Sequence, residues 1–137
     1  MGMAVTISSR LADKILADIE SDPAHERCGL LIGNRRAITA IRPAANIHPD
    51  PARFFEADPH ILIATQRALR GTEAKMLGHY HSHPTGDAMP SHWDAKMAAA
   101  DGRYWLIIGK DRSMTLWQSI ASGALYGRFN QLILDIL

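Results

Sequence analysis

The stretch Gly78-His79-Tyr80-His81-Ser82-His83-Pro84-Thr85-Gly86-Asp87-Ala88-Met89-Pro90-Ser91-His92-Trp93-Asp94 organises the rest of the chain. Ala74-Lys75-Met76-Leu77 before it reads as the entry to a strand. In an extended chain alternate side chains share a face, so His81 and His83 point the same way with Cα atoms roughly 7 Å apart. Pro84 has no N–H to give a ladder and ends the strand. After a Gly-containing loop, Pro90-Ser91 opens a helix through the Ala-rich run 95–100, with Asp94 in its first turn. Two imidazoles met by one returning carboxylate form a His₂Asp donor set. Three protein ligands with a fourth position free for water is the arrangement of catalytic zinc sites.

His79 shares the face but lies roughly 13 Å from His83, too far for both to ligate one ion. The pair is therefore His79 with His81, or His81 with His83. The second adjoins the loop that returns Asp94, and His79 is then a packed neighbour or a support. Ser91-x-x-Asp94 also spells a capping box, and a His-x-His pair occurs on ordinary strand surfaces. Neither explains why Pro84, Pro90, Ser91 and Asp94 all fall in place together.

The run His81-x-His83-Pro84-x₆-Ser91-x-x-Asp94 resembles the JAMM motif of the MPN-domain metalloproteases, in particular the prokaryotic JAB-type branch. These enzymes remove ubiquitin or ubiquitin-like proteins. The resemblance covers nearly the whole chain. It implies Zn²⁺ held by His81, His83 and Asp94, with Ser91 stabilising the oxyanion. It also implies an upstream glutamate as general base. Glu26, just before Cys28-Gly29-Leu30-Leu31, takes that place. A carboxylate that is not a ligand would take a proton from the metal's water and pass it to the leaving amine. A solvated glutamate at a strand end is the plainer alternative. The implied fold is α/β, a single-domain mixed β-sheet with helices on both faces, three layers like those of the cytidine deaminases. The implied substrate is a ubiquitin-like or sulfur-carrier (ThiS/MoaD-type) protein, cleaved after its C-terminal Gly-Gly. Two other readings share these residues. One is an MPN-type binding module, whose members break the motif that is complete here. The other is a RadC-type protein associated with DNA repair, towards which Thr85-Gly86-Asp87…Pro90-Ser91 leans. A cytidine deaminase is excluded, because that chemistry needs a Pro-Cys-x-x-Cys pair and the chain has one cysteine.

At 137 residues the chain reads as one domain, 1–137, large enough for its own core. A hydrophobic fraction of 47%, a charged fraction of 21% and a net charge of +1 describe a soluble globular protein. They give no electrostatic case for nucleic acid or membrane as a main partner. The lone Cys28 excludes an internal disulfide and suits a reducing cytoplasm. It lies in an apolar strand, which makes it core and not a nucleophile. Neither a signal-peptide pattern nor an apolar run of spanning length is seen. Met1-Gly2 opens a myristoylation-like hexapeptide that is discounted as a chance match.

Ala4 to Ile7 predicts a strand, and Ser8 or Ser9 caps a helix to about Glu20 with Leu11, Ile15, Leu16 and Ile19 on one face. Strands follow over Glu26–Gly33 and Ala37–Arg42. Residues 43–57 form a Pro-containing connection, with Phe54-Phe55 on a short strand. Asp58-Pro59 opens a helix to about Arg70, closed by Gly71, with Ile61, Leu62, Thr65, Ala68 and Leu69 facing a sheet. The series Asn46…Phe55…Asp58-Pro59 resembles a stretch of the prokaryotic JAMM proteins, without an assigned catalytic duty. His48 and His60 read as surface residues, Trp93 and Tyr80 as packing. Arg103–Ile108 and Ser113–Gln118 are strands, and Ser119–Gly127 is a loop or loose helix. Gln131–Leu137 alternates poorly and reads as a terminal strand, with a helix as the alternative.

Overall fold

The computed structural model describes residues 3–137, so the Met1-Gly2 pattern lies outside the described residues. Ten elements follow in order. They are β1 (Ala4–Ile7), α1 (Ser9–Glu20), β2 (Cys28–Asn34), β3 (Ala37–Ala44), α2 (Pro59–Leu69), β4 (Lys75–Ser82), α3 (His92–Met97), β5 (Tyr104–Ile108), β6 (Met114–Gly123) and β7 (Gly127–Ile136). Mixed α/β content stands as expected. The open layered sheet with helices on both faces does not: the seven strands close into a barrel in the order β1-β3-β2-β4-β5-β6-β7. Closure comes from β1, which pairs in parallel with β3 on one side and with β7 on the other. This short strand covers β3 only at Ala37 and Ile38 and β7 only over Ile133–Ile136, so it closes the ring without covering the full length of either edge.

The core lies on one face of β4. Ile15 of α1 is sealed among Val5, Leu31, Tyr80, Leu106 and Leu116. Ser8 caps α1 by accepting from the Leu11 N–H, as its position before the apolar stripe predicts. Across the sheet a second cluster joins Trp105, Ile107, Trp117 and Phe129 to Ala95 and Ala98 at the end of α3. Alternation along β4 and β5 produces this split. Tyr80 pairs with Leu106 towards α1, while His79 and His81 pair with Trp105 and Ile107 on the other face.

Several local expectations are corrected. Phe54-Phe55 are not on a strand; that segment is a turn closed by a single Asn46–Ala57 bridge. The helix after the motif runs His92–Met97 and stops before the alanines at 98–100. Residues 119–127 are neither loop nor helix throughout, because β6 continues to Gly123 and turns tightly through Ser122, Tyr126 and Gly127 at positive φ. On α2, Asp58 caps and Pro59 begins the helix as predicted, but only Thr65 is fully buried. Leu62 is exposed, as is Ile63.

Candidate active site

β4 carries His81 in the middle of the sheet, hydrogen-bonded between β2 and β5 in register with Cys28 and Ile107. His83 lies just past the strand end, held in line by its N–H donating to Ile108 O at 2.8 Å. Their imidazoles meet with Nε2 atoms 3.1 Å apart. Asp94 returns on the first turn of α3, with Oδ1 3.4 Å from His81 Nε2 and Oδ2 3.2 Å from His83 Nε2. His81 is fully buried and Asp94 nearly so. No ion is part of this structure, yet the donor spacing fits one. Ligands about 2.0–2.2 Å from a tetrahedral zinc stand roughly 3.3–3.5 Å from one another. The separation of the two imidazoles, like that of each imidazole from its nearer Asp94 oxygen, falls close to that edge. His83 Nδ1 faces Asp87 O at 2.8 Å. A carbonyl only accepts, so Nδ1 holds a proton; Nε2, which faces Asp94 Oδ2, is the nitrogen that would bind a metal once its own proton is displaced.

Charge in the cluster follows from these contacts. Burial opposes an ionised Asp94, but hydrogen bonds from His81 and His83, with the Ser91 N–H, outweigh it and hold the carboxyl well below its usual range. Burial likewise lowers His81, with Asp94 only partly offsetting it. At His83 burial also works downwards, but the bonds to Asp94 and the Asp87 carbonyl win and the net direction is up. Three donors around an anion-stabilised centre suit a divalent cation.

Ser91 and Asp94 do form a capping box: the Asp94 N–H donates to Ser91 Oγ at 3.0 Å, and the Ser91 N–H to Asp94 Oδ2 at 2.9 Å. This cap also turns the Asp94 carboxylate towards the two imidazoles. Ser91 Oγ serves the cap as an acceptor, which leaves its O–H free to donate into the groove that it lines.

Glu26 precedes β2 and lies 7% exposed. A carboxylate oxygen of Glu26 comes within 4.8 Å of imidazole nitrogens of both His81 and His83. The four acidic and imidazole groups thus share one centre, although 55 residues separate Glu26 from His81. Desolvation, with a smaller contribution from Asp94 and an opposing one from His83, pushes the Glu26 carboxyl from its ordinary 4.5 to about 8. The cleft beside it has a volume of about 520 Å³ between Ala52-Arg53 on one side and Pro84–His92 on the other.

His79 does not join the cluster. Its ring lies against Phe55, His81 and Trp105, and burial takes its pKa down to about 3. Cys28 is sealed, with burial raising its thiol to about 12, so it is core. Tyr80 is also core, but Trp93 is not packed away: it is 41% exposed and rests on Phe54. His60 is exposed as expected, while His48 is half-buried against Phe54. Sequence reasoning assigned nothing to Phe55, which stacks on His81 with ring centres 4.4 Å apart. The Asp87 contact was equally hidden, because a backbone carbonyl leaves no residue-type signal.

Residues 8–120 match the family model described as prokaryotic homologs of the JAB domain. The desampylase of Haloferax volcanii is 35% identical over 96 residues, covering 69% of each chain. A probable TtuB-protein conjugate cleaving protease of Thermus thermophilus is 34% identical over 97 residues, covering 71% of this chain and 65% of the relative. In structure, a Desulfitobacterium hafniense protein superposes with a TM-score of 0.83 at 23% identity, covering 97% of this chain and 92% of that one. This last likeness concerns the fold.

Proposed function

The chain belongs to the family of prokaryotic homologues of the JAB domain, and from that premise we propose that residues 1–137 act as one zinc metallopeptidase domain. Its substrate is a ubiquitin-like or sulfur-carrier protein, cleaved after the C-terminal Gly-Gly from whatever follows. One observation carries this reading: two imidazoles and the Asp94 carboxylate at metal-ligand spacing beside a second buried carboxylate, Glu26. The relatives named for desampylation and for cleaving TtuB–protein conjugates supply the substrate class. The cytoplasm, with its reduced thiols, is the compartment we infer for a chain with one sealed cysteine; among the described residues no helix is long and apolar enough to cross a membrane.

His81, His83 and Asp94 would hold the zinc, which when bound acts as a Lewis acid on the scissile carbonyl and acidifies water. Glu26 is the base. Burial raises its proton affinity above that of an ordinary carboxyl, an effect that a bound cation would oppose. A carboxylate so balanced can both accept a proton from attacking water and return it to the leaving amine. Ser91 donates its free hydroxyl proton to the developing oxyanion, a contact whose loss costs roughly 3 kcal/mol in comparable sites. Asp87 O keeps His83 in the ligating tautomer. A Gly-Gly tail, lacking Cβ atoms, suits a narrow cleft.

The test is to incubate zinc-loaded protein with carrier proteins extended beyond Gly-Gly and to compare masses before and after. Loss of everything past the second Gly, stopped by EDTA and by Glu26→Gln, is the expected result. Carriers left intact, or a Glu26→Gln variant cleaving at wild-type rates, would overturn it.

A further inference from the structure

The hydrogen bonds that hold Glu26 run through its backbone, and both belong to the connection between β3 and α2. The Glu26 N–H donates to Pro51 O at 2.7 Å. Glu26 O accepts from Asn46 Nδ2 at 2.8 Å. Asn46 does more than this. Its second N–H donates to Phe54 O at 3.0 Å, and its Oδ1 accepts from the His48 N–H at 3.1 Å and the Glu56 N–H at 3.0 Å. An amide has two donor hydrogens and two acceptor lone pairs. All four are used, and the partners fix which end is oxygen.

What this one side chain staples together is telling. From the segment 46–57 it holds, Phe55 covers the ring of His81, Phe54 meets Trp93 at the start of α3, and Ala52-Arg53 form one wall of the cleft. The same side chain also holds the main chain of the base. We infer that Asn46 is a positioning residue for the reaction: it sets the Glu26 carboxylate against the His81–His83–Asp94 centre and keeps Phe55 on His81. It touches neither substrate nor ligand atoms, and it acts through Glu26. The inference rests on the reading of Glu26 as the base.

Asn46→Asp keeps the size and both acceptor sites but loses the donors to Glu26 O and Phe54 O; Asn46→Ala removes all four bonds. A displacement near 1 Å of a catalytic group costs on the order of 100-fold in rate. Both variants are expected to lose about 10- to 100-fold in kcat with KM within about threefold of wild type and one zinc per chain retained. A purely structural role would instead lower the melting temperature and zinc content together. The deciding measurement is a double-mutant cycle with Glu26→Asp, whose shortened carboxylate is already misplaced. In that background Asn46→Asp should cost less than about threefold more, because the two changes act on one element. If Asn46→Ala does not fold, the Asn46→Asp cycle still decides. Unchanged kcat in folded Asn46→Asp, or an additive cycle, would overturn the inference while leaving Glu26 as the base. Wild-type rates in Glu26→Gln would sink the base itself.

Discussion

The two faces of β4 differ in how their polar groups are matched. On the α1 side, Tyr80 donates its hydroxyl to Asp18 Oδ2 at 2.6 Å, and Arg27 Nη2 donates to Asp18 Oδ1 at 2.8 Å. Ser82 accepts from the Arg27 N–H through Oγ and donates its own N–H to Arg27 O. Opposite charges meet there and most donors find acceptors, Arg27 Nε being a buried exception. Burial raises the Tyr80 pKa far enough, with the Asp18 bond, that the phenol stays neutral. Gly29 is part of this fit, because a Cβ there would enter the Tyr80 ring. On the opposite face, His79, His81, His83, Asp94 and Glu26 bring together more lone pairs than hydrogens. His79 Nε2 and His81 Nδ1 are sealed from solvent without a partner. One strand therefore carries a face that holds the fold and a face on which two imidazole nitrogens and a carboxylate converge in the way a cation site requires. Sites built for chemistry commonly keep such local conflict.

The contrast can be broken most sharply at the ligands. His81→Ala and Asp94→Ala should each abolish zinc binding, measured by elemental analysis, and lower turnover at least about 1,000-fold. The metal-free folds should lose little stability. His79→Ala should keep its zinc, and loss of metal there with normal content in His83→Ala would move the site by one pair.

Breaking the matched face should give the inverse pattern. Asp18→Ala leaves the Arg27 charge and the Tyr80 hydroxyl without their acceptor. Removing one partner of a fully buried pair costs about 3–5 kcal/mol, and with Asp18 11% and Arg27 23% exposed the loss here should lie at the lower end of that range. The expected outcome in denaturant titration is that loss, with zinc content and the kcat of the folded fraction near wild type. Equal damage to activity and stability would mean that the two faces are not separable.

The smallest effect sharpens the comparison through pH. In the metal-stripped protein the Glu26 carboxyl has a folded pKa of about 8 against an ordinary 4.5. The folded state holds this proton more tightly than the unfolded chain. The contribution is intact below 4.5 and stability falls as pH rises from there to about 8, by about 3 kcal/mol at pH 7. Glu26→Gln removes the ionisation, so stripped Glu26→Gln protein should be more stable than wild type at pH 7 and equal to it near pH 4. A substitution that stabilises the fold while abolishing turnover is the mark of a functional carboxylate. Equal unfolding curves at pH 7 would contradict the burial argument.

Much of the site was legible because its grammar is local. The two-residue period of a strand places His81 and His83 on one face, Pro84 ends the ladder, and the capping box fixes Asp94 in a first turn. Each of these acts over a few residues of backbone. Glu26 was proposed as the base only through the likeness of its strand to a known family, since a glutamate at a strand end carries no spacing signal of its own. Phe54-Phe55 misled for the same reason: two aromatics suggest a strand, but the Asn46 staple turns the segment over the site.

By itself the sequence determined the donor types, their order and the strand and helix that carry them, because side-chain chemistry and short-range backbone sterics settle those. Only the tertiary structure decided that the sheet closes, since β1 finds β7 across nearly the whole chain. The same holds for the Asp18–Tyr80 bond across 62 residues and the Asn46–Glu26 bond across 20. Such contacts form when packing brings distant polar groups into a volume without water, where an unmatched group is costly and each must find its partner. No periodicity within one segment records which distant partner that will be.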